Sequence, residues 1–493
     1  MGGRKNREDE VERVLDCFRE IAEIPRPSYE EERIADYLEA KGKRLGLDVF
    51  RDGHNNVILR QGKRETGCPS VILQAHTDMV WETENPQAEV EKVPQGIHEE
   101  DGYMRASGTT LGADNGIGMA LILALLNEGG DYPPLEAVFT SNEEETMEGA
   151  EALNGEVLSG EWLINLDSEK EGVFTIGAAG GISVLLEFPV TEEKAGKKEF
   201  VTVAVRGGKG GHSGLEIGKK RENAIGLLIR FLRSLDEASW ELSALEGGSR
   251  SNAIPSEASA GILVEDTVLI EKQAALFMEQ RLKEWSGEEE ELTLNIEKNQ
   301  DMKERKRYAP SCRERLLLLM ENLPHGVKSR TEEFICSSVN LASVREGGGQ
   351  KRMLTIELSL RSSYESWYRD EAERICRLGN RFGAGSVIKD EYPAWTYKKE
   401  SKLTGILCEA YRESFGCEPV LENVHAGVEC GIIMKNCPSV KEAISIGPSI
   451  VGAHTVKEAV ETASVGKVFR LLDAVLTKIK QMEPDRGEDG DER

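Results

Sequence analysis

The 493-residue sequence predicts an α/β protein: a mostly parallel sheet covered by helices, with an α+β domain inserted into it. Three observations support that class. Short apolar runs at 71–76, 135–141, 161–167 and 443–448 read as buried strands, and helical patterns lie between them. From about 187 to 399 the pattern changes to longer strands that alternate polar and apolar residues. Beyond that point the first pattern returns. The predicted organisation is therefore one domain from 1–186 and 400–482, an insert at 187–399, and an acidic, disordered tail at 483–493.

Taken in order, residues 8–46 read as helix, interrupted at IPRPS, where proline removes a backbone donor and fixes φ. VILQAH (71–76) is a strand, and GIGMALILALLNEG (116–129) a helix closed by Gly129 and Gly130. LEAVFTS (135–141), EWLINLD (161–167) and AISIGP (443–448) are the other core strands, and an amphipathic helix covers about 457–482. In the insert, EFVTVAVRG, EASAGILVE, ELTLNIEK and RMLTIELSL are strands, with helices near 221–236, 266–285 and 368–382. No repeat of short period is present.

Composition excludes several classes. Hydrophobic content of 39% and charged content of 30% are those of a globular chain. The net charge of −26 repels phosphate backbones and anionic lipid, which argues against nucleic acid and membrane as partners. Nine cysteines without a CxxC pair suggest reduced thiols and a cytoplasmic protein. The start MGGRKNREDE lacks the apolar core of a secretory signal, and Asn6 stands where a myristoylation motif needs Ser or Thr. No apolar run is long enough to cross a bilayer.

The carboxyl ends of the core strands carry the chemistry. After 71–75 come His76 and Asp78; after 135–139, the run Glu143–Glu145; after 161–166, Asp167; after 443–446, GPSIVGAH with His454. Asp114 precedes a helix in GADNG. In an open α/β sheet that edge binds ligands. Taken singly, Asp114 reads as a helix cap, the glutamates as a solvated turn, and each histidine as a satisfied polar residue. Taken together, His76, Asp114, Glu144, Asp167 and His454 are too many ligands for one ion. They suit two divalent ions about 4 Å apart with a bridging carboxylate and a water, and a spare carboxylate to take the water's proton. Asp78 would accept the other ring N–H of His76 and fix its tautomer. The three consecutive glutamates leave the base and the ligand unassigned on these grounds. There is no GxSxG, and no cysteine stands in a nucleophile motif.

With HTD, GADNG, a Glu-Glu turn, LDSE, GGHSG and a late histidine in that order, the chain resembles the zinc-dependent exopeptidases that include aminoacylases, glutamate carboxypeptidases and cytosolic dipeptidases. HTDMVWE, SGTTLGADNGIGMA, LINLDSEKEGVFTIGAAGG, SNAIPSEA and HAGVECGI resemble the bacterial aminoacyl-histidine dipeptidases within that family. The resemblance implies a catalytic domain with an inserted lid domain, and two zinc ions held by His76, Asp114, Glu144, Asp167 and His454, with Asp114 bridging. Manganese and cobalt tolerate the same ligands. EETMEG aligns with the family pattern through Met147 and Gly149, which makes Glu143 the general base; Thr146 stands where the pattern has glycine.

The resemblance further implies that Asp78 supports His76 and that His212 stabilises the oxyanion, either within its own chain or from a partner subunit of a homodimer. Asn252, Arg361, His425 and Glu429 would contact substrate. The implied reaction is hydrolysis of a small peptide, of the Xaa-His type such as carnosine. The competing readings are other dipeptides, tripeptides, N-acyl amino acids or γ-glutamyl compounds, and a non-catalytic binding relative. His54, His98 and His325 carry no motif and are expected at the surface or in structural roles.

Overall fold

The apolar runs form the middle of an eight-stranded sheet. Its order, edge to edge, is Asp48–Arg51, Val57–Gln61, Leu135–Thr140, Val71–His76, Trp162–Asn165, Glu442–Ser445, Val173–Ala178 and Val420–Val424. The four central strands, from Leu135–Thr140 to Glu442–Ser445, are parallel. The pairings on either side of them, at Val57–Gln61 and Val173–Ala178, are antiparallel. Every residue of Val71–His76 and of Leu135–Thr140 is buried, as strands covered on both faces must be. The helix Ala113–Glu128 is apolar around its whole circumference and is itself covered by Gly2–Ala22.

This computed structural model describes residues 2–62, 68–85, 87, 91–196, 198–285, 289–298, 306–332, 334–347 and 352–482. The acidic tail expected at 483–493 lies outside the described residues. The chain divides into two compact units: Met1–Gly177 with Tyr397–Asn423 and Val428–Arg493, and Ala178–Thr396 with Val424–Gly427. The second unit begins nine residues before the boundary read near 187, because the strand Gly180–Pro189 belongs wholly to its sheet. It also takes in Val424–Gly427, which the sequence reading grouped with the first domain. The Ala179 N–H donates to the Val424 carbonyl at 2.9 Å and so ties that segment to the second unit.

The second unit's sheet runs Thr293–Lys298, Glu199–Arg206, Ala258–Val264, Trp240–Gly247, Ile335–Gly347, Met353–Ser362, Gly180–Pro189, Gly385–Tyr392, with Gly326–Arg330 paired to Ile335–Gly347. It consists of two halves of like plan, each strand–helix–strand–strand–helix–strand. The first uses Glu199–Arg206, Ala224–Ser234, Trp240–Gly247, Ala258–Val264, Thr267–Trp285 and Thr293–Lys298. The second opens with Gly180–Pro189 and resumes after the first with Pro310–Asn322, Ile335–Gly347, Met353–Ser362, Glu365–Arg381 and Gly385–Tyr392. The halves meet at the single pairing Gly247↔Val344. Both bury one apolar face under their helices, in one continuous core.

Two expected bounds moved. The last helix begins at Thr462 rather than near 457, because Ala459–Glu461 pairs with Tyr103–Arg105 as a short strand. The helix expected from Gly116 starts at Ala113, although Asp114 and Asn115 leave helical geometry.

Candidate active site

The five candidate ligands of the first unit converge on Asp114. His76 Nε2 lies 3.0 Å from Asp114 Oδ1 and 3.2 Å from Asp167 Oδ1. His454 Nε2 lies 3.1 Å from Asp114 Oδ2 and 3.0 Å from Glu144 Oε2. The two Asp114 oxygens thus face the two imidazoles. Three sets of side chains have donor atoms close enough to hold an ion: His76, Asp114 and Asp167; Asp114, Glu144 and His454; and His76, Glu143 and Glu144. Asp114 is common to the first two. One Glu144 oxygen, Oε1, is buried without a hydrogen-bond partner. Imidazole and carboxylate donors with a spare oxygen fit divalent cations.

The crowding of like charges is visible in the acidities. Burial, reinforced by Asp114 and Glu144, pushes Asp167 up to about 6. Burial also raises Glu143 well above the usual carboxylate range, with Asp167, Glu429 and Glu144 adding to it. Burial alone would lower His76, but Asp167, Asp114 and Asp78 outweigh it and hold the imidazole well above its ordinary value. Hydrogen bonds to Asp114 and Glu144 push His454 up to about 11. Buried carboxylates this close repel one another, and cations among them relieve the repulsion.

The loops that carry these residues are fastened by Asp78 and by groups the sequence reading did not single out. His76 Nδ1 lies 3.1 Å from the Asp78 carbonyl and 3.3 Å from Asp78 Oδ1. The Asp78 carboxylate also accepts from the Glu143 N–H at 2.9 Å, the Glu144 N–H at 3.2 Å and Ser28 Oγ at 2.8 Å. Asp78 therefore braces the glutamate turn as well as the histidine. Arg26, buried in IPRPS, donates to the carbonyls of Thr77, Asp78 and Gly112. Burial lowers its pKa only to about 10, so it stays charged. Buried Glu458 accepts from the N–H groups of Leu111, Gly112 and Asp114 at 2.8, 2.8 and 3.1 Å. Asn115 donates to Asp167 Oδ1 at 2.5 Å, and the Asp114–Asn115 peptide is cis.

Local backbone accounts for the glutamate turn. Its left-handed residues are Asn142 (φ 53°) and Met147 (φ 58°); Thr146 needs no glycine and accepts from Asn142 Nδ2 at 2.8 Å. Gly149 is required instead, since a Cβ there would strike the Ser141 backbone. Glu429, buried at the start of Glu429–Asn436, accepts from Gln74 Nε2 at 2.6 Å and Thr140 Oγ1 at 3.0 Å. Its other oxygen has no partner, and burial raises it to about 7.

The second unit gathers four further candidates. His212 lies on a two-residue strand paired with Ala253–Ile254, beside Asn252, whose carbonyl accepts from the Ser213 N–H at 2.7 Å. Its Nδ1 accepts from the N–H groups of Gly214 and Leu215, both at 3.2 Å, which leaves Nε2 free to act. Arg361 is 8% exposed, has no carboxylate partner among the described residues, and donates to the Tyr392 hydroxyl at 2.5 Å. His425 Nε2 lies 2.8 Å from Ser338 Oγ, while its Nδ1 is buried without a partner. Burial, and then the Arg361 charge, lowers both histidines, His425 to about 4. A buried guanidinium beside neutral imidazoles favours an anion. His54, His98 and His325 are exposed.

A parallel-centred sheet whose strand ends deliver two histidines and several carboxylates to one point, on a chain carrying a second, antiparallel unit, is the plan of a metallopeptidase. The chain belongs to Peptidase family M20/M25/M40, which it matches over residues 72–478. It is 35% identical to the cytosol non-specific dipeptidase of Escherichia coli (strain K12), over 94% of this chain and 97% of that one. It is similar to the crystal structure of the aminoacylhistidine dipeptidase from Vibrio alginolyticus, with a TM-score of 0.85 and 29% identity over 94% of this chain and 96% of that one. A tripeptidase from Staphylococcus aureus shares the fold, with a TM-score of 0.60 and 15% identity over 95% and 98% of the two chains. The chain is accordingly an enzyme of the peptidase class. Among the described residues, no helix is long and apolar enough to cross a membrane.

Proposed function

We propose that this peptidase hydrolyses dipeptides, Xaa-His dipeptides such as carnosine among its preferred substrates, at a site for two divalent ions. The observation that carries the reading is the sharing of Asp114 between two separate donor sets, one with His76 and Asp167 and one with Glu144 and His454. A carboxylate with one oxygen toward each set is the arrangement a bridging ligand needs. Zinc suits these donors, and manganese or cobalt would be accepted. Such ions, when bound, polarise the scissile carbonyl and acidify a water.

The remaining steps belong to the chain's own side chains. Glu143, the carboxylate next to the Glu144 ligand, takes the proton of the attacking water and returns it to the leaving amine. Asp78 holds His76 in one orientation and fixes the turn that carries Glu143. His212, with Nδ1 engaged by backbone, presents Nε2–H to the oxyanion, and Asn252 adds a second donor. Arg361, buried and without a carboxylate partner among the described residues, receives the substrate's C-terminal carboxylate, with Tyr392 setting its direction. His425 and Glu429 each keep one unpartnered polar atom for substrate. Two relatives support dipeptides as substrates, the aminoacylhistidine dipeptidase those of the Xaa-His type and the cytosol non-specific dipeptidase a broad range with a cytosolic location.

The test is a chelated, then zinc- or manganese-reloaded, protein assayed on a dipeptide panel that includes carnosine and Gly-His, with N-acyl amino acids and tripeptides as controls. Activity that disappears with chelator, returns with metal and favours C-terminal histidine is the expected result. Equal rates on all dipeptides would leave a non-specific dipeptidase. Cleavage of acyl amino acids without dipeptide turnover would overturn the reading. Glu143→Gln should retain two ions per chain by elemental analysis while losing at least about 100-fold in turnover.

A further inference from the structure

The loop that carries His212 is held at its neck by a buried carboxylate from another part of the second unit. Residues 207–222 join the strand Glu199–Arg206 to the helix Ala224–Ser234. The stretch GGKGGHSG that opens the loop is mostly glycine. Glycine has no side chain to pack, so such a stretch has few means of keeping one shape. The loop leaves its strand pressed against the turn that holds Glu289: Gly207 has φ 78°, and a Cβ there would strike the Glu291 carbonyl. Glu289 is 1% exposed. Its Oε2 accepts from the Lys209 N–H at 3.0 Å, and its Oε1 from the Glu222 N–H at 3.2 Å. The two donors stand at opposite ends of the loop, so one carboxylate closes its neck.

Beyond the neck the loop braces itself. The Glu216 N–H donates to the His212 carbonyl at 2.9 Å, and the Glu216 carboxylate accepts from Lys219 at 2.7 Å and Arg221 at 3.0 Å. His212 Nδ1 accepts from the loop's own Gly214 and Leu215 N–H groups. The ring is therefore fixed to the loop, and a shift of the loop carries Nε2 with it. A buried glutamate satisfied by two N–H groups could serve stability alone. The chemistry of the position says more. Only a carboxylate offers two acceptor oxygens, one for each end of the loop; glutamine has the same size but only one. Burying a carboxylate is costly, and among the described residues no Lys or Arg is paired with this one. What the position gains from it is the simultaneous hold on both ends of the histidine loop.

We propose that Glu289 is a positioning residue for catalysis: its carboxylate clamps the two ends of the loop 207–222 and so sets where His212 Nε2 stands when the oxyanion forms. The inference rests on the role given to His212 above. It holds whether His212 serves its own chain or a partner subunit, because the loop and its clamp lie in the same unit. Misplacing a catalytic group by about 1 Å can cost about 100-fold in rate, so opening one side of the clamp should cost about tenfold.

The experiment is steady-state kinetics of the zinc-loaded full-length chain on the best substrate of the dipeptide panel, for the wild type, Glu289→Gln, His212→Ala, the double variant and Glu290→Gln, which removes a charge from the exposed neighbour. Glu289→Gln should lower kcat about tenfold and leave KM and metal content unchanged. His212→Ala should lose about 100-fold or more, and adding Glu289→Gln to it should cost nothing further, because effects that run through one group do not add. Glu290→Gln should match the wild type. Amide hydrogen exchange should quicken across 209–222 in Glu289→Gln and leave the rest of the second unit unchanged. If Glu289→Gln does not fold, Glu289→Asp, too short to reach both N–H groups, carries the same comparison. A Glu289 variant within about twofold of wild-type kcat beside an impaired His212→Ala would overturn the proposal. So would losses that multiply in the double variant, or an equal loss in Glu290→Gln. A nearly fully active His212→Ala would instead overturn the oxyanion role of His212, and the positioning role of Glu289 with it.

Discussion

Glu458 is the buried carboxylate whose loss should be felt most sharply. Its Oε2 accepts from Leu111 and Gly112 and its Oε1 from Asp114, all backbone N–H groups of the loop that delivers Asp114. Glu458→Gln keeps the shape. The amide oxygen can retain the Leu111 and Gly112 bonds, but each changes from charge-assisted to neutral, a loss of about 1 kcal/mol apiece. The amide NH2 then faces the Asp114 N–H, donor against donor, and a buried unpaired N–H costs about 2 kcal/mol. Removing a buried charge returns a minor part of this, since burial already raises the Glu458 pKa. The net expectation is a destabilisation of about 3 kcal/mol. Urea unfolding followed by circular dichroism measures it as a fall in midpoint at unchanged slope. Because Glu458 lies four residues after His454 and fastens the Asp114 backbone, zinc affinity measured against a chromophoric chelator should fall at least about tenfold. A variant within 1 kcal/mol of wild type and with unaltered zinc affinity would refute the reasoning.

Three other outcomes are expected. Arg361→Met should raise KM for free dipeptides far more than it changes kcat, and the effect should vanish for substrates whose C-terminal carboxylate is amidated; steady-state kinetics on both substrates checks it. His425 has a folded pKa near 4, below its unfolded value, so it contributes stability that is complete above about 6.5 and is lost as pH falls toward 4. The shift corresponds to at most about 3 kcal/mol, and His425→Asn should flatten the acid limb of thermal stability over that window. Gly447→Ala would drive a Cβ into the Ser168 carbonyl, displacing the loop of Asp167. Metal content after dialysis should drop in that variant without loss of the second unit's structure.

Much of the architecture is legible in the chain because it rests on local regularities. Apolar runs of strand length with helices between them specify a covered parallel centre, and the change of periodicity near 187 announces an antiparallel insert. The candidate ligands are legible for the same reason. Each stands just past an apolar run or a glycine turn, so its place at the sheet's edge follows from its neighbours. The duplication inside the second unit is not legible. The first half is inserted between the first strand and the first helix of the second half, and the two share a fold plan rather than a repeated sequence.

The sequence by itself determined the strand ends, the order in which His76, Asp114, the glutamate run, Asp167 and His454 occur, and hence membership of a metal-dependent peptidase family. Only the tertiary structure decided what holds those residues in register. Arg26 reads locally as a helix break and Glu458 as one acidic residue among many, yet Arg26 joins the Thr77–Asp78 and Gly112 carbonyls, and Glu458 collects three N–H groups more than 340 residues away. Their partners are backbone atoms, which every residue possesses, so no side-chain pattern in the sequence can announce the bond. Burial fixes the need for a partner, and only the folded chain says which loop supplies it.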